Sequence, residues 1–90
     1  MKILIVDDND DNIVLEKTIL KSCGYTIATA ADGVHALEVA SQFCPDMIIS
    51  DILMPRMDGF ELCRTVKANE QLKKVPFIIY SASFTGSEDK

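Results

Sequence analysis

Ile3-Leu4-Ile5-Val6-Asp7-Asp8 is a run of four aliphatic residues that stops on two carboxylates. A continuous run of this kind, without polar alternation, marks a strand buried on both faces, as in a parallel sheet covered by helices. Two later stretches repeat the design. Met47-Ile48-Ile49-Ser50 ends on Asp51, and Phe77-Ile78-Ile79-Tyr80, entered through Pro76, ends on Ser81. A further strand, Tyr25–Ala30, is more polar and belongs nearer an edge.

The segments between the strands carry helical spacing. After Asp7 and Asp8, any of Asp10, Asp11 or Asn12 suits an N-cap, and Ile13, Val14, Leu15, Ile19 and Leu20 form a broad apolar face. Lys21 suits the helix C-terminus, and Gly24 can take the left-handed position beyond it. Asp32-Gly33 opens a second helix, Val34–Phe43, with Ala36, Leu37, Val39, Ala40 and Phe43 inward and Cys44-Pro45-Asp46 as its stop. Asp58 and Glu61 form a capping pair for a third helix, Gly59–Asn69, with Leu62, Cys63 and Val66 inward. The order β-α-β-α-β-α-β predicts an α/β domain with a parallel sheet and right-handed crossovers.

Bulk properties narrow the function. Ninety residues make one domain, and a 48% hydrophobic content excludes a disordered chain. A net charge of −5 argues against nucleic acid as a direct partner. No apolar run reaches membrane-spanning length, and Met1-Lys2-Ile3-Leu4 has no secretory layout, so a cytoplasmic location is expected. Cys23, Cys44 and Cys63 are scattered without CxxC spacing, and His35 stands apart from them. Zinc and disulfides are therefore not expected, and the thiols are expected to be reduced and buried.

Strands of a parallel sheet share one C-terminal edge, where such folds bind ligands. Asp7, Asp8, Asp51 and Ser81 all follow directly on strands, so they are expected to converge there. Three carboxylates held together repel and call for a cation. Their hard oxygen donors favour magnesium or manganese. A carboxylate beside such an ion is a competent nucleophile toward a phosphoryl group, and a hydroxyl at Ser81 can bond a phosphoryl oxygen. Taken singly, these residues have blander uses as caps and turn formers; their combination at three strand ends favours a site. An EF-hand beginning at Asp8 fails, because Ile13 stands at the glycine position and Ile19 at the glutamate position.

The strings Ile-Leu-Ile-Val-Asp7-Asp8, Ile-Ile-Ser-Asp51-Ile-Leu-Met54-Pro55-Arg-Met-Asp58-Gly59 and Ile-Ile-Tyr-Ser81-Ala82 together resemble a response-regulator receiver domain of two-component signalling. The resemblance implies a flavodoxin-like three-layer α/β/α fold with strand order 2-1-3-4. It also implies that Asp51 accepts a phosphoryl group from the phosphohistidine of a sensor histidine kinase or a phosphotransfer protein. Magnesium would be held directly by Asp8 and Asp51, by the backbone carbonyl of Leu53, and by Asp7 through water. Ser81 would be the switch hydroxyl, and an apolar Leu53, offering nothing to an attacking water, implies a long-lived phosphoryl group.

One departure from the family pattern is large. A receiver has a fifth strand bearing a lysine and an aromatic switch residue, which residues 1–90 lack. An incomplete receiver is therefore expected, with the fourth strand left as an apolar edge open to self-association. Two other functions compete with phosphate acceptance. One is an interaction or dimerisation module whose phosphorylation site is disabled. The other is a phosphatase of the haloacid-dehalogenase type, which needs Asp-x-Asp where this chain has Asp7-Asp8-Asn9, and which leaves residues 51–59 unexplained.

Overall fold

The aliphatic run at the N-terminus becomes the inner part of β1 (Lys2–Val6), where Ile3, Leu4, Ile5 and Val6 are all buried. It is followed by α1 (Asp10–Ser22), β2 (Thr26–Ala30), α2 (Gly33–Phe43), β3 (Met47–Asp51), α3 (Gly59–Ala68) and β4 (Phe77–Tyr80). These elements come from a computed structural model that describes residues 1–52, 54 and 57–80. Leu53 and Ser81 lie outside the described residues.

The four strands form one sheet in the order β2-β1-β3-β4, with every pair parallel. The inner position of β1 pairs both of its edges with β2 and β3, and α1 and α2 on opposite sides of the sheet bury its two faces. Side chains alternate between the faces. Leu4, Val6 and Ile48 point to the face covered by α2 and α3, where they pack with Ala36, Ala40, Leu62 and Val66. The small alanines of α2 let that helix approach the sheet closely. On the other face α1 lies over β1 and β2.

Several expectations are corrected by this arrangement. The N-cap of α1 is Asn9, whose side chain accepts from the Asn12 backbone N–H at 3.1 Å; it is none of Asp10, Asp11 and Asn12. All three cysteines are free thiols, but Cys23 and Cys44 are exposed and Cys63 is half-buried, so the expected burial fails. Cys23 and Cys44 are the C-cap residues of α1 and α2, where helix ends leave them open to solvent. The apolar face of α1 is also not buried as a whole. Ile13 and Leu20 are half-buried, while Val14, Leu15 and Ile19 are exposed. Tyr25 precedes β2 and is not part of it.

The expected helix signals at the other ends are present. Asp32 and Asp58 cap α2 and α3 by accepting from the His35 and Glu61 backbone N–H groups, each at 2.8 Å. Gly24 takes a φ of 93° just past α1. The corresponding left-handed residue after α2 is Cys44, with a φ of 52°.

Candidate functional site

Parallel pairing lines up the ends of β1 and β3, because Val6 is in register with Ser50 and Asp7 and Asp51 come next. The carboxylates of Asp7, Asp8 and Asp51 consequently meet, with one oxygen from each lying within 4.8 Å of the others. Asp7 and Asp51 are buried, and Asp8 is exposed at the mouth. Of the sequence-derived site residues, these three are brought together. The other two, Leu53 and Ser81, fall outside the described residues.

Asp7 is held on every side. Its backbone N–H donates to the Ala30 carbonyl at 3.0 Å, which extends the β1–β2 ladder by one step. Its Oδ1 accepts from the Asn9 N–H at 2.9 Å, and its Oδ2 accepts from the Asn12 side-chain amide at 3.3 Å. The Tyr80 hydroxyl donates to the same Oδ2. The N-terminal turn of α1 thus fixes one metal-ligating candidate while its own cap is being formed.

Asp51 is positioned by backbone on the far side. Ser50 is fully buried, and its hydroxyl donates to the Asp51 carbonyl at 2.9 Å. The Ile52 N–H donates to the Tyr80 carbonyl at 2.9 Å, and the Gly59 N–H to the Ile52 carbonyl at 2.8 Å. The first residue of α3 therefore rests directly on the strand end that carries Asp51. A Cβ at Gly59 would come within 2.5 Å of the Asp51 carbonyl oxygen. The Asp58-Gly59 pair has a physical reason: the first residue caps the helix and the second permits the approach.

Two residues at the site were not singled out from sequence. Tyr80 is paired in register with Asp51, so both side chains rise on the same face of the sheet. Its hydroxyl also lies 3.4 Å from Glu16 Oε1 on α1. Burial raises the Glu16 carboxyl above its ordinary value, the Tyr80 hydrogen bond pulls it back, and the nearby Asp7 and Asp51 charges push it up again. The Tyr80 hydroxyl is raised as well, first by burial and then by its bond to Asp7. A tyrosine closing an apolar strand was a usable signal, since a half-buried phenol needs a partner for its hydroxyl.

The donor set suits a small divalent cation. All three groups are hard carboxylate oxygens, within the spacing of a shared ion, and one of them is open to water. Two buried carboxylates side by side repel, and a dication between them removes that cost.

A flavodoxin-like sheet with acidic residues at its C-terminal edge is the architecture of signalling receivers, and solved receiver domains superpose on it. The family model for the response regulator receiver domain matches residues 3–89, and the chain belongs to that family. Among curated proteins, the response regulator PleD of Caulobacter vibrioides is 38% identical over 81 residues, covering 90% of this chain and 18% of PleD. Among solved structures, the chemotaxis response regulator CheY4 of Vibrio cholerae has a TM-score of 0.83 and 40% identity, covering 87% of this chain and 65% of that one. The receiver domain of the sensor histidine kinase PA1611 from Pseudomonas aeruginosa has a TM-score of 0.85 and 32% identity, covering 96% of this chain and 70% of its own. That protein holds a magnesium ion coordinated in its active site cleft. No helix among the described residues is long and apolar enough to cross a membrane.

Proposed function

We propose that the chain is a phosphate-accepting receiver in which Asp51 takes a phosphoryl group from the phosphohistidine of a sensor histidine kinase or phosphotransfer protein. The observation that carries this reading is the meeting of Asp7, Asp8 and Asp51 within 4.8 Å at the C-terminal edge of the sheet. An Asp51 carboxylate oxygen attacks phosphorus, the N–P bond to the donor imidazole breaks, and its electron pair departs with the ring nitrogen. Asp8, Asp51 and the Leu53 carbonyl would hold magnesium or manganese directly. Asp7 suits a water-mediated role, since both of its oxygens already accept hydrogen bonds. A divalent cation there supplies neutralisation of the charge on the transferring oxygens. Ser81 then bonds the phosphoryl group and switches the interaction surfaces, in a cytoplasmic protein that acts as a signalling acceptor and turns over no other substrate.

Intact mass after incubation with magnesium and acetyl phosphate tests the reading, with circular dichroism to verify folding. The expected result is one phosphoryl group on the parent chain and none on Asp51→Asn. A folded parent chain that stays unmodified, and remains so when extended through a fifth strand and its lysine, would sink the assignment.

A second reading has its own support. The exposed Val14, Leu15 and Ile19 of α1, together with Ile78 of β4, favour a chain that also associates with a second copy of itself.

A further inference from the structure

Tyr80 and Glu16 stand beside the carboxylates and take no part in the proposed transfer. The Tyr80 hydroxyl donates to Asp7 Oδ2, and the same hydroxyl oxygen lies 3.4 Å from Glu16 Oε1. A phenol carries a single proton, so it can serve only one of these two carboxylates at a time. Asp7 is fully buried and belongs to the acidic cluster; Glu16 lies outside it, on the sheet-facing side of α1.

We propose that Tyr80 is a positioning residue that relays occupancy of the carboxylate cluster to helix α1, its hydroxyl donating to Asp7 until a divalent cation binds and to Glu16 afterwards. The inference rests on the metal-site reading above. A hydrogen bond to a carboxylate draws its strength from the charge of the acceptor. Cation binding withdraws that charge from Asp7 and leaves Glu16, outside the cluster, with more of its own. Both acceptors border the hydroxyl, so the switch needs rotation of the O–H bond and a small closing of the 3.4 Å separation from Glu16. Asn9 and Asn12 keep Asp7 in place when the phenol turns away. The helix that accepts the redirected hydrogen bond is the one whose Leu15 and Ile19 are exposed, so the relay ends on an apolar surface available to a partner.

The test is a double-mutant cycle on cation affinity, measured with manganese by electron paramagnetic resonance on the 90-residue chain. Glu16→Ala is expected to weaken binding about fivefold in the wild-type background and no more than about twofold in Tyr80→Phe, the excess being the Tyr80–Glu16 interaction. Equal losses in the two backgrounds would overturn the relay, because a purely coulombic pull from Glu16 does not need the phenol. A second readout is the carboxyl ¹³C resonance of Glu16 on saturation with magnesium. It is expected to move in the wild type and to stay still in Tyr80→Phe, and its constancy in the wild type would overturn the proposal. Absence of any cation binding by the wild type would overturn the metal site and the relay together.

Discussion

Gly59 is where the chemistry and the packing impose the same demand. With the Asp51 carbonyl oxygen only 2.5 Å from any Cβ placed there, an alanine forces either α3 or the end of β3 to move. Gly59→Ala is therefore expected to cost roughly 1–3 kcal/mol in urea unfolding, the usual range for an added methyl in a closed contact. It should also disturb Asp51 in a way that a remote destabilising change does not, visible as a lower rate of phosphoryl uptake in chains that remain folded. Glu16 makes a second demand, of opposite kind. Burial and the Asp7 and Asp51 charges raise its carboxyl, so the folded state binds this proton more tightly than the unfolded state. Its contribution to stability is therefore greatest at low pH and declines as pH rises from the ordinary carboxylate range through the raised folded value. Glu16→Gln removes the charged form, and is expected to raise the melting temperature at neutral pH and to flatten that slope. A steeper slope in the variant would contradict the sign.

Helix α2 ends on a residue that pays a conformational penalty. Cys44 sits at a φ of 52°, where an L side chain crowds its own backbone, and the residue is exposed. Cys44→Gly is expected to stabilise the chain by about 0.5–1 kcal/mol in urea titration, since glycine takes this position without strain. The same element illustrates what could be read from residue order. The stop at Cys44-Pro45-Asp46 was legible, but the left-handed thiol was not, because nothing in the local pattern separates it from a buried one. Strands β1, β3 and β4 were legible because uninterrupted apolar runs have few other uses, and the acidic ends of β1 and β3 then placed Asp7, Asp8 and Asp51 together. The cap of α1 was missed by one residue. Asn9, Asp10, Asp11 and Asn12 are chemically equivalent caps, and only the path of the chain leaving β1 selects among them. Tyr80 escaped for another reason: its partner Asp7 is 73 positions away, and the pair exists only through strand register.

At the scale of the whole molecule the two faces of the sheet are unequally covered. Helices α2 and α3 close one side around Leu4, Val6 and Ile48. On the other, α1 lies over β1 and β2, and Ile78 on β4 is 46% exposed. Ile78 is in register with Ile49, which pairs with Ile5, so all three share the face on which α1 lies. Concentration-dependent self-association is therefore expected in light scattering, with Leu15→Glu combined with Ile78→Lys shifting the chain toward monomer. A wild-type chain that stays monomeric at high concentration would count against that second reading. The bond between Tyr80 and Asp7 has one more consequence, an optical one. The chain has no tryptophan and two tyrosines, and the other, Tyr25, stands clear of the site at 36% exposure. Near-ultraviolet absorbance and emission therefore come mainly from two phenols, one of them touching a candidate ligand of the cation. With Tyr25 replaced by phenylalanine the molecule becomes its own dye, and titration with magnesium is expected to change the emission of Tyr80 without any attached label.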